Sequence, residues 1–368
     1  MKTLHTAVIG CGLISKNHLK ALKNVEHAEC VAVCDIVLEK AETTAESYKI
    51  PQVYTDYKEM LKNPDIDVIH ICTPHYLHAE MAIDTLNAGK HVLCEKPMAL
   101  SEADALQMMR ARDRSGKQLG ICFQNRYNQA SVYMKKLLEK GGLGPVTGAR
   151  GQVTWDRKPE YYTQSLWRGR WATEGGGVLI NQAIHTFDLM QWLAGCRIKT
   201  VEASVSTKRL KEVIEVEDTV DVLMTGQNGE RVLFYATNCY VKNAPVELEI
   251  ICENGSVKMT GNVVVTEKDG TIVSKDYSSG TVLGKDYWGS GHGFLIDDFY
   301  RCIEENRRFP VGGEEAITSV RLLEAVYRSG REGSTVTLQG DCESSRTEVK
   351  MGKVVADEKE KRKSRSYD

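Results

Sequence analysis

A lysine and a histidine stand out as a pair able to move a proton. Lys96 sits in Val92-Leu93-Cys94-Glu95-Lys96-Pro97, where an apolar run ends in an acid, a base and a proline. His185 sits in Glu174-Gly175-Gly176-Gly177-Val178-Leu179-Ile180-Asn181-Gln182-Ala183-Ile184-His185-Thr186-Phe187-Asp188. Imidazole titrates near neutrality and is the natural acceptor of a hydroxyl proton at physiological pH. An ammonium beside the same oxygen lowers the alcohol's pKa and stabilises the alkoxide as it forms. Asn181, His185 and Asp188 are spaced i, i+4, i+7, so they share one helical face. The glycines ahead of them allow a ligand to approach closely, and Glu95 is placed to hold Lys96. A cis Lys96–Pro97 bond would re-aim the lysine into a cleft. Blander readings stand beside these: a surface lysine at a strand end and a satisfied structural histidine.

Proton removal is half of an alcohol oxidation. The other half needs a hydride acceptor, and the start of the chain describes where one would lie. Thr6-Ala7-Val8-Ile9-Gly10-Cys11-Gly12-Leu13-Ile14-Ser15 is an apolar strand entering a glycine turn and then a helix. Gly10 permits the tight turn, Gly12 lets main-chain N–H groups approach a pyrophosphate, and the helix offers its positive end. Ser15 stands where a third glycine is usual and is small enough for helix-on-strand packing. Asp35 ends the next strand, where a carboxylate accepts both adenosine-ribose hydroxyls. That favours NAD over NADP, because a 2′-phosphate would meet a negative charge. Thr73-Pro74-His75-Tyr76-Leu77-His78 ends a later strand at the same carboxyl edge. Cofactor contacts are expected from Gly10, Gly12, Leu13, Ile14, Asp35, Thr73, Pro74, His78, Glu95, Lys96 and Asn125. His75 and His78 with Glu80 match no zinc spacing, so no metal is expected.

These groups need a scaffold. Strands are predicted at His5–Ile9, Cys30–Cys34, Val68–Cys72, His91–Cys94 and Leu119–Phe123. They alternate with helices at Leu13–Lys23, Leu38–Tyr48, Tyr57–Leu61, His78–Ala88 and Ser101–Arg114. Apolar strands between amphipathic helices mean a doubly wound parallel sheet. Ser101-Glu102-Ala103-Asp104 has the form of a capping box. Past residue 123 the pattern changes. Strands are predicted at 146–155, 200–207, 218–225, 231–239, 246–252, 256–259 and 263–266, with hairpin signals at Asn228-Gly229 and Asn254-Gly255. Helices are predicted at 130–140, 177–194, 293–306 and 314–329. The fold class is α/β: a Rossmann domain over 1–123, then an α+β domain over 124–341 with a large open, mostly antiparallel sheet. A charged tail over 342–368 is expected to fray.

Trp155-x-Arg157, Tyr161-Tyr162 and Trp167-Arg168-Gly169-Arg170-Trp171 lie upstream of the glycines. Aromatic faces stack on the C–H side of a sugar ring, and arginines fix hydroxyls or anionic groups. A packed loop with solvated arginines is the alternative. Substrate contacts are expected from Arg126, Tyr162, Trp167, Arg168, Asn181 and His185.

The chain has 368 residues, 42% hydrophobic and 27% charged, which suits two soluble domains. A net charge of −2 argues against a nucleic-acid surface. The 11 cysteines form no Cys-x-x-Cys pair and read as reduced, buried hydrophobes. No apolar run has membrane-spanning length, and the first strand begins almost at Met1, so a cytoplasmic protein is expected.

Together these segments resemble the Gfo/Idh/MocA oxidoreductases over nearly the whole chain. The resemblance rests on Gly10-x-Gly12, Thr73-Pro74 with His78, Glu95-Lys96-Pro97, Gly175–Gly177 with His185 and Asp188, and Gly291-His292-Gly293-Phe294-Leu295-Ile296-Asp297-Asp298-Phe299-Tyr300. It implies proton transfer by Lys96 and His185, with NAD as cofactor. Many members carry aspartate where this chain has Asn181, which can orient a substrate but cannot take a proton. Family members pair through the open sheet, implying a homodimer or homotetramer. Trp167-Arg168-Gly169, Glu174 with its glycines, and Asn181-Gln182 look like branches that oxidise the C3 hydroxyl of a pyranose. The expected activity is NAD-dependent oxidation of a secondary hydroxyl of a sugar, glycoside or nucleotide sugar. Alternatives are a cyclitol dehydrogenase, an enzyme that recycles bound NAD through oxidation and elimination, and a non-catalytic sensor.

Overall fold

The computed structural model describes residues 3–278 and 291–338. The segment 342–368, expected to fray, lies outside them. The first half alternates β1 (Leu4–Ile9), α1 (Ser15–Leu22), β2 (Ala28–Cys34), α2 (Leu38–Tyr48), β3 (Gln52–Tyr54), α3 (Tyr57–Leu61), β4 (Val68–Ile71), α4 (His78–Asn87), β5 (His91–Cys94), α5 (Glu102–Ser115) and β6 (Leu119–Ile121). The strands form one sheet in the order β3-β2-β1-β4-β5-β6, and every pair is parallel. All four β4 residues are buried, as a strand covered on both faces requires. The order reverses between β1 and β4, and the carboxyl ends of the strands there are where such sheets bind ligands. The edge strand β3 was not expected: Gln52-Val53-Tyr54 is short and not continuously apolar. At the start of α5, Ser101 Oγ accepts the Asp104 main-chain N–H at 3.1 Å, as the capping box anticipates.

Then follow α6 (Gln129–Glu139), β7 (Val146–Thr154), α7 (Pro159–Thr163), α8 (Ile184–Ala194), β8 (Ile198–Ser206), β9 (Thr219–Gly226), β10 (Arg231–Thr237), β11 (Glu247–Cys252), β12 (Gly255–Thr260), β13 (Val263–Lys268), β14 (Thr271–Asp276), α9 (Gly291–Glu304), α10 (Gly313–Glu332) and β15 (Val336–Thr337). The second sheet has nine strands in the order β14-β13-β12-β11-β7-β10-β9-β8-β15. It is antiparallel except where β7 runs parallel to β10, in register from Gly148↔Arg231 to Thr154↔Thr237. The Asn228-Gly229 and Asn254-Gly255 signals mark the β9–β10 and β11–β12 connections. Two edge strands escaped the sequence reading. β14 is exposed along its whole length and β15 has two residues, so neither shows an alternating pattern. α8 and α10 cover one face of the sheet. The other face leaves Leu233 and Tyr235 of β10 exposed, while Val232 and Phe234 between them are buried.

Two returns tie the halves together. α9 packs on α1 and on the 3-10 turn Gln124–Tyr127, and α10 packs on α5. No described helix is long and apolar enough to cross a membrane.

Candidate active site

The glycine turn has the shape a dinucleotide needs. Gly10 adopts φ +91°, and a Cβ there would lie 2.6 Å from the carbonyl oxygen of Cys72. Gly12 is exposed, and a Cβ on it would meet nothing within 4 Å, so its main chain faces open space. Ser15 replaces the third glycine without loss of packing: it is buried, and its Oγ donates to the Gly12 carbonyl at 2.7 Å. Asp35 accepts the Cys11 main-chain N–H at 2.9 Å and the Val37 N–H at 2.9 Å. Two amides therefore fix the carboxylate while each oxygen keeps a lone pair for a ribose hydroxyl. Leu13 beside it is 72% exposed. These groups fit a bound NAD without rearrangement.

His78 opens α4, with Nδ1 2.7 Å from the Pro97 carbonyl and Nε2 2.9 Å from the Thr73 carbonyl. The ring lies between the Thr73-Pro74 bend and the Lys96-Pro97 bend, with one N–H to give to either carbonyl. His75 Nδ1 donates to the Glu174 carbonyl at 2.8 Å. Both rings are thus tied to main-chain oxygens, and Glu80 lies with Tyr57 and Lys58. The His75/His78/Glu80 set does not converge on a metal.

Glu95 was expected to hold Lys96, and the structure corrects this. Its side chain meets His18 Nε2 at 2.9 Å and lies 3.7 Å from His292 Nε2. His18 Nδ1 faces His70 Nδ1 at 2.9 Å, and His70 Nε2 faces the Tyr300 hydroxyl at 3.0 Å. Burial alone would raise the Glu95 carboxyl. The bond from His18 and the nearby His292 ring outweigh it and hold the group well below the usual carboxylate range. Ligand-type atoms of His18, Glu95, Cys122 and His292 crowd within 4.8 Å of one another, with Glu95 bonded to His18 and close to His292. A buried anion therefore supports the floor of the crevice.

Lys96 points the other way. Its peptide with Pro97 is cis, and Nζ donates to the main-chain oxygen of Asn181 at 3.0 Å. Burial holds the amine below the usual lysine range, against the pull of Glu95 and Glu174. Asn181 lies in a π-helical turn, Leu179–Ala183, that runs directly into α8. Such widened turns re-aim side chains and occur at functional sites. One turn further, His185 is partly exposed beside Gln124, whose Nε2 lies 3.4 Å from His185 Nε2. That donor leaves the ring's lone pair on Nε2 and its hydrogen on Nδ1, which is buried without a partner among the described residues. Burial, then the neighbouring Lys96 charge, hold the imidazole well below its ordinary pKa. The amine from the first half thus bonds the main chain one turn before His185, close enough for its charge to act on the imidazole.

Other expectations change. Asp188 is not a partner of His185: Arg126 forks onto it with Nε and Nη2, both at 2.8 Å, and Ser319 Oγ adds a third bond at 2.8 Å. Arg126 also reaches Glu315 at 3.2 Å and is 2% exposed. Expected at the substrate, it is instead fully committed to an interior ion pair. Its neighbour Asn125 is partly exposed, with a buried Oδ1 lacking a partner among the described residues. The three glycines serve packing rather than ligand approach. Side chains there would strike Leu100, the Tyr327 hydroxyl and the Glu217 carbonyl respectively.

Tyr162 was expected in the site, but its hydroxyl accepts from Asn238 Nδ2 at 2.8 Å, within a small core with Leu210 and Val216. Tyr161 occupies the site instead: its hydroxyl accepts from Gln182 Nε2 at 2.9 Å and faces Asn181 Nδ2 at 3.4 Å. Adjacent residues on a helical turn point apart, so only one of a Tyr-Tyr pair can do this. The Arg168 guanidinium lies 4.2 Å from the Tyr161 ring centroid and 5.3 Å from that of Trp167, and the Trp167 ring lies 4.7 Å from His75. Glu174, quoted in the motif but given no role there, is fully buried beside Asn181.

Comparison with known proteins agrees with this geometry. A family model described as oxidoreductase family, NAD-binding Rossmann fold, matches residues 4–123, and one for the GFO/IDH/MocA C-terminal domain matches 131–258. Inositol 2-dehydrogenase of Salmonella typhimurium is 32% identical over 244 residues, 62% of this chain and 69% of that protein. The crystal structure of the WlbA dehydrogenase from Bordetella pertussis, with NADH and UDP-GlcNAcA, superposes with a TM-score of 0.79 at 30% identity, covering 92% of this chain and all of that one. The aldose-aldose oxidoreductase from Caulobacter crescentus, with glycerol, gives 0.80 at 26% identity and the same coverage. With its glycine turn, Asp35 and paired sheets accounted for, the chain belongs to the Gfo/Idh/MocA oxidoreductases and binds NAD in its Rossmann half.

Proposed function

We propose that this oxidoreductase oxidises a secondary hydroxyl of a sugar, glycoside or nucleotide sugar by removing hydride from its carbon, with the C3 hydroxyl of a pyranose as the favoured position. The observation that supports it most is the bond of Lys96 Nζ to the Asn181 carbonyl, one turn before His185, whose imidazole burial and the Lys96 charge hold well below its ordinary pKa. His185 Nε2, approached only by the long contact from Gln124, takes the hydroxyl proton. Lys96 stabilises the alkoxide through a charge that burial leaves poorly screened. NAD held in the Rossmann half would supply the hydride acceptor for the same carbon, so that the product is a ketone. The Gly10–Ile14 main chain holds the pyrophosphate and Asp35 the adenosine ribose. Thr73, Pro74, His78, Glu95 and Asn125 shape the floor. Trp167 and Tyr161 offer faces to the ring, with Arg168 fixed between them and Asn181 alongside. The C3 preference is supported by the resemblance of Trp167-Arg168-Gly169 and Asn181-Gln182 to C3-oxidising branches.

In this reading, 1–123 and 124–341 are the two working units. The uncovered sheet face bearing Leu233 and Tyr235 pairs protomers, and the protein is cytoplasmic. The likeness to an aldose-aldose oxidoreductase favours one second reading, in which NAD stays bound and is recycled. Incubation with NAD and a panel of pyranosides, cyclitols and nucleotide sugars tests both. Net NADH absorbance supports the dehydrogenase, conversion without NADH supports recycling, and no conversion of any alcohol refutes the proposal.

A further inference from the structure

The site has an asparagine where a proton-accepting acid is common, yet an acid lies directly behind it. Glu174 is fully buried. Its Oε2 accepts the Gly169 main-chain N–H at 2.5 Å, and its Oε1 accepts from Asn181 Nδ2. The Asn181 amide nitrogen also faces the Tyr161 hydroxyl at 3.4 Å. The carboxamide is therefore held with its nitrogen toward the acid, leaving Oδ1 as the acceptor available to a substrate hydroxyl. The same residue's main-chain oxygen holds Lys96 Nζ. Asn181 thus serves the site twice, with its side-chain Oδ1 free for a substrate and its main-chain oxygen as the anchor of the amine.

Building on the proposed alcohol oxidation, we propose that Glu174 is a positioning residue whose charge state decides which end of the Asn181 carboxamide faces the substrate. With Glu174 ionised, both of its oxygens accept and Asn181 presents an acceptor. With Glu174 protonated, one oxygen becomes a donor facing the Asn181 NH₂. The carboxamide then turns over and presents its NH₂ to the substrate instead. Burial pushes this carboxyl up to about 7, against bonds from Gly169 and Asn181. The charged or titratable groups around it are Arg168, Tyr161 and Tyr162 from the preceding segment, His75 on the Glu174 carbonyl, Glu217 across the glycines, Lys96 from the end of β5 and Tyr327 from α10. Glu217 is itself pushed up to about 7 by burial, but its oxygens take the Gly177 and Leu179 N–H groups and the Tyr327 hydroxyl, not Asn181.

The test reads Asn181 directly in protein labelled with ¹⁵N-asparagine. The carboxamide signals absent from Asn181→Asp identify the residue. In the unaltered chain they should shift with a midpoint near pH 7 between about pH 5.5 and about pH 8.5, and in Glu174→Gln that shift should vanish. Glu174→Asp, which keeps the acid, should restore a titration with a moved midpoint. This covers the case in which the glutamine variant fails to fold. With a substrate in hand, KM should rise about tenfold on the acid side of the midpoint while kcat changes less, and Glu174→Gln should flatten that dependence. Signals that stay fixed across the range, or that move identically in Glu174→Gln, overturn the inference. Failure of the alcohol panel would overturn the oxidation reading alone, since the amide titration needs no substrate.

Discussion

His185 and Asp188 are three residues apart on α8, and the protein treats them in opposite ways. Asp188 receives three hydrogen bonds at 2.8 Å from Arg126 and Ser319. His185 has one long contact at 3.4 Å and a ring nitrogen without a partner among the described residues. Both come from one polar stripe in the sequence. The difference teaches that saturation marks the groups that hold the molecule, and incomplete pairing marks those kept for a ligand. Arg126–Asp188 joins the turn after β6 to α8 and α10 through Ser319 and Glu315. Lys96–Asn181–His185 spans the same two halves but retains bonding capacity.

Separating activity from stability breaks or sharpens that contrast. The largest effect is expected at His185. His185→Ala should lower kcat by about 10²- to 10⁴-fold while NADH affinity, read by fluorescence, and melting temperature stay near those of the parent. Next comes Asp188→Ala, which leaves the Arg126 charge buried and should cost about 3–5 kcal/mol of stability in denaturant titration. Replacing both partners with apolar residues should recover much of that loss. A neutral result for the single variant would place Asp188 among the dispensable groups. Smaller still, Asp35→Ala should weaken NAD about tenfold to a hundredfold and leave NADP nearly unchanged. Equal losses for both would undo the ribose assignment.

The smallest effect is a pH trend. Burial lowers His70, His75, His78, His91, His185 and His292 below the ordinary histidine value. The unfolded chain therefore takes up protons that the native state refuses, and stability falls as pH drops through the histidine range. Glu174 and Glu217, both raised to about 7, act in the opposite sense, because the native state protonates them first. Six histidines against two acids predict a lower melting temperature at about pH 5.5 than at about pH 7.5. A higher one would contradict the neutral assignment of the buried rings.

Local signals made most of this legible. α2 and α3 match their expected bounds, and the glycine turn with Asp35 has the geometry its spacing implies. What sequence could not supply was the choice among neighbours. Nothing in Tyr161-Tyr162 says which ring turns toward Asn181. Glu95 beside Lys96 suggests an ion pair, yet its partners His18 and His292 arrive from helices far apart in the chain. The triple glycine reads as room for a ligand, whereas Leu100, Glu217 and Tyr327 fill that space. In each case the deciding contact is long-range, and periodicity is silent about it.

A double-mutant cycle asks whether amine and imidazole serve one carbinol. Lys96→Met, His185→Asn and the double variant are assayed for NADH formation on the best alcohol of the panel. Groups acting on one oxygen are strongly coupled, so the double variant should be little slower than the worse single one. Losses that multiply, or a single variant that keeps full turnover, would show that the two side chains do not share a reacting centre.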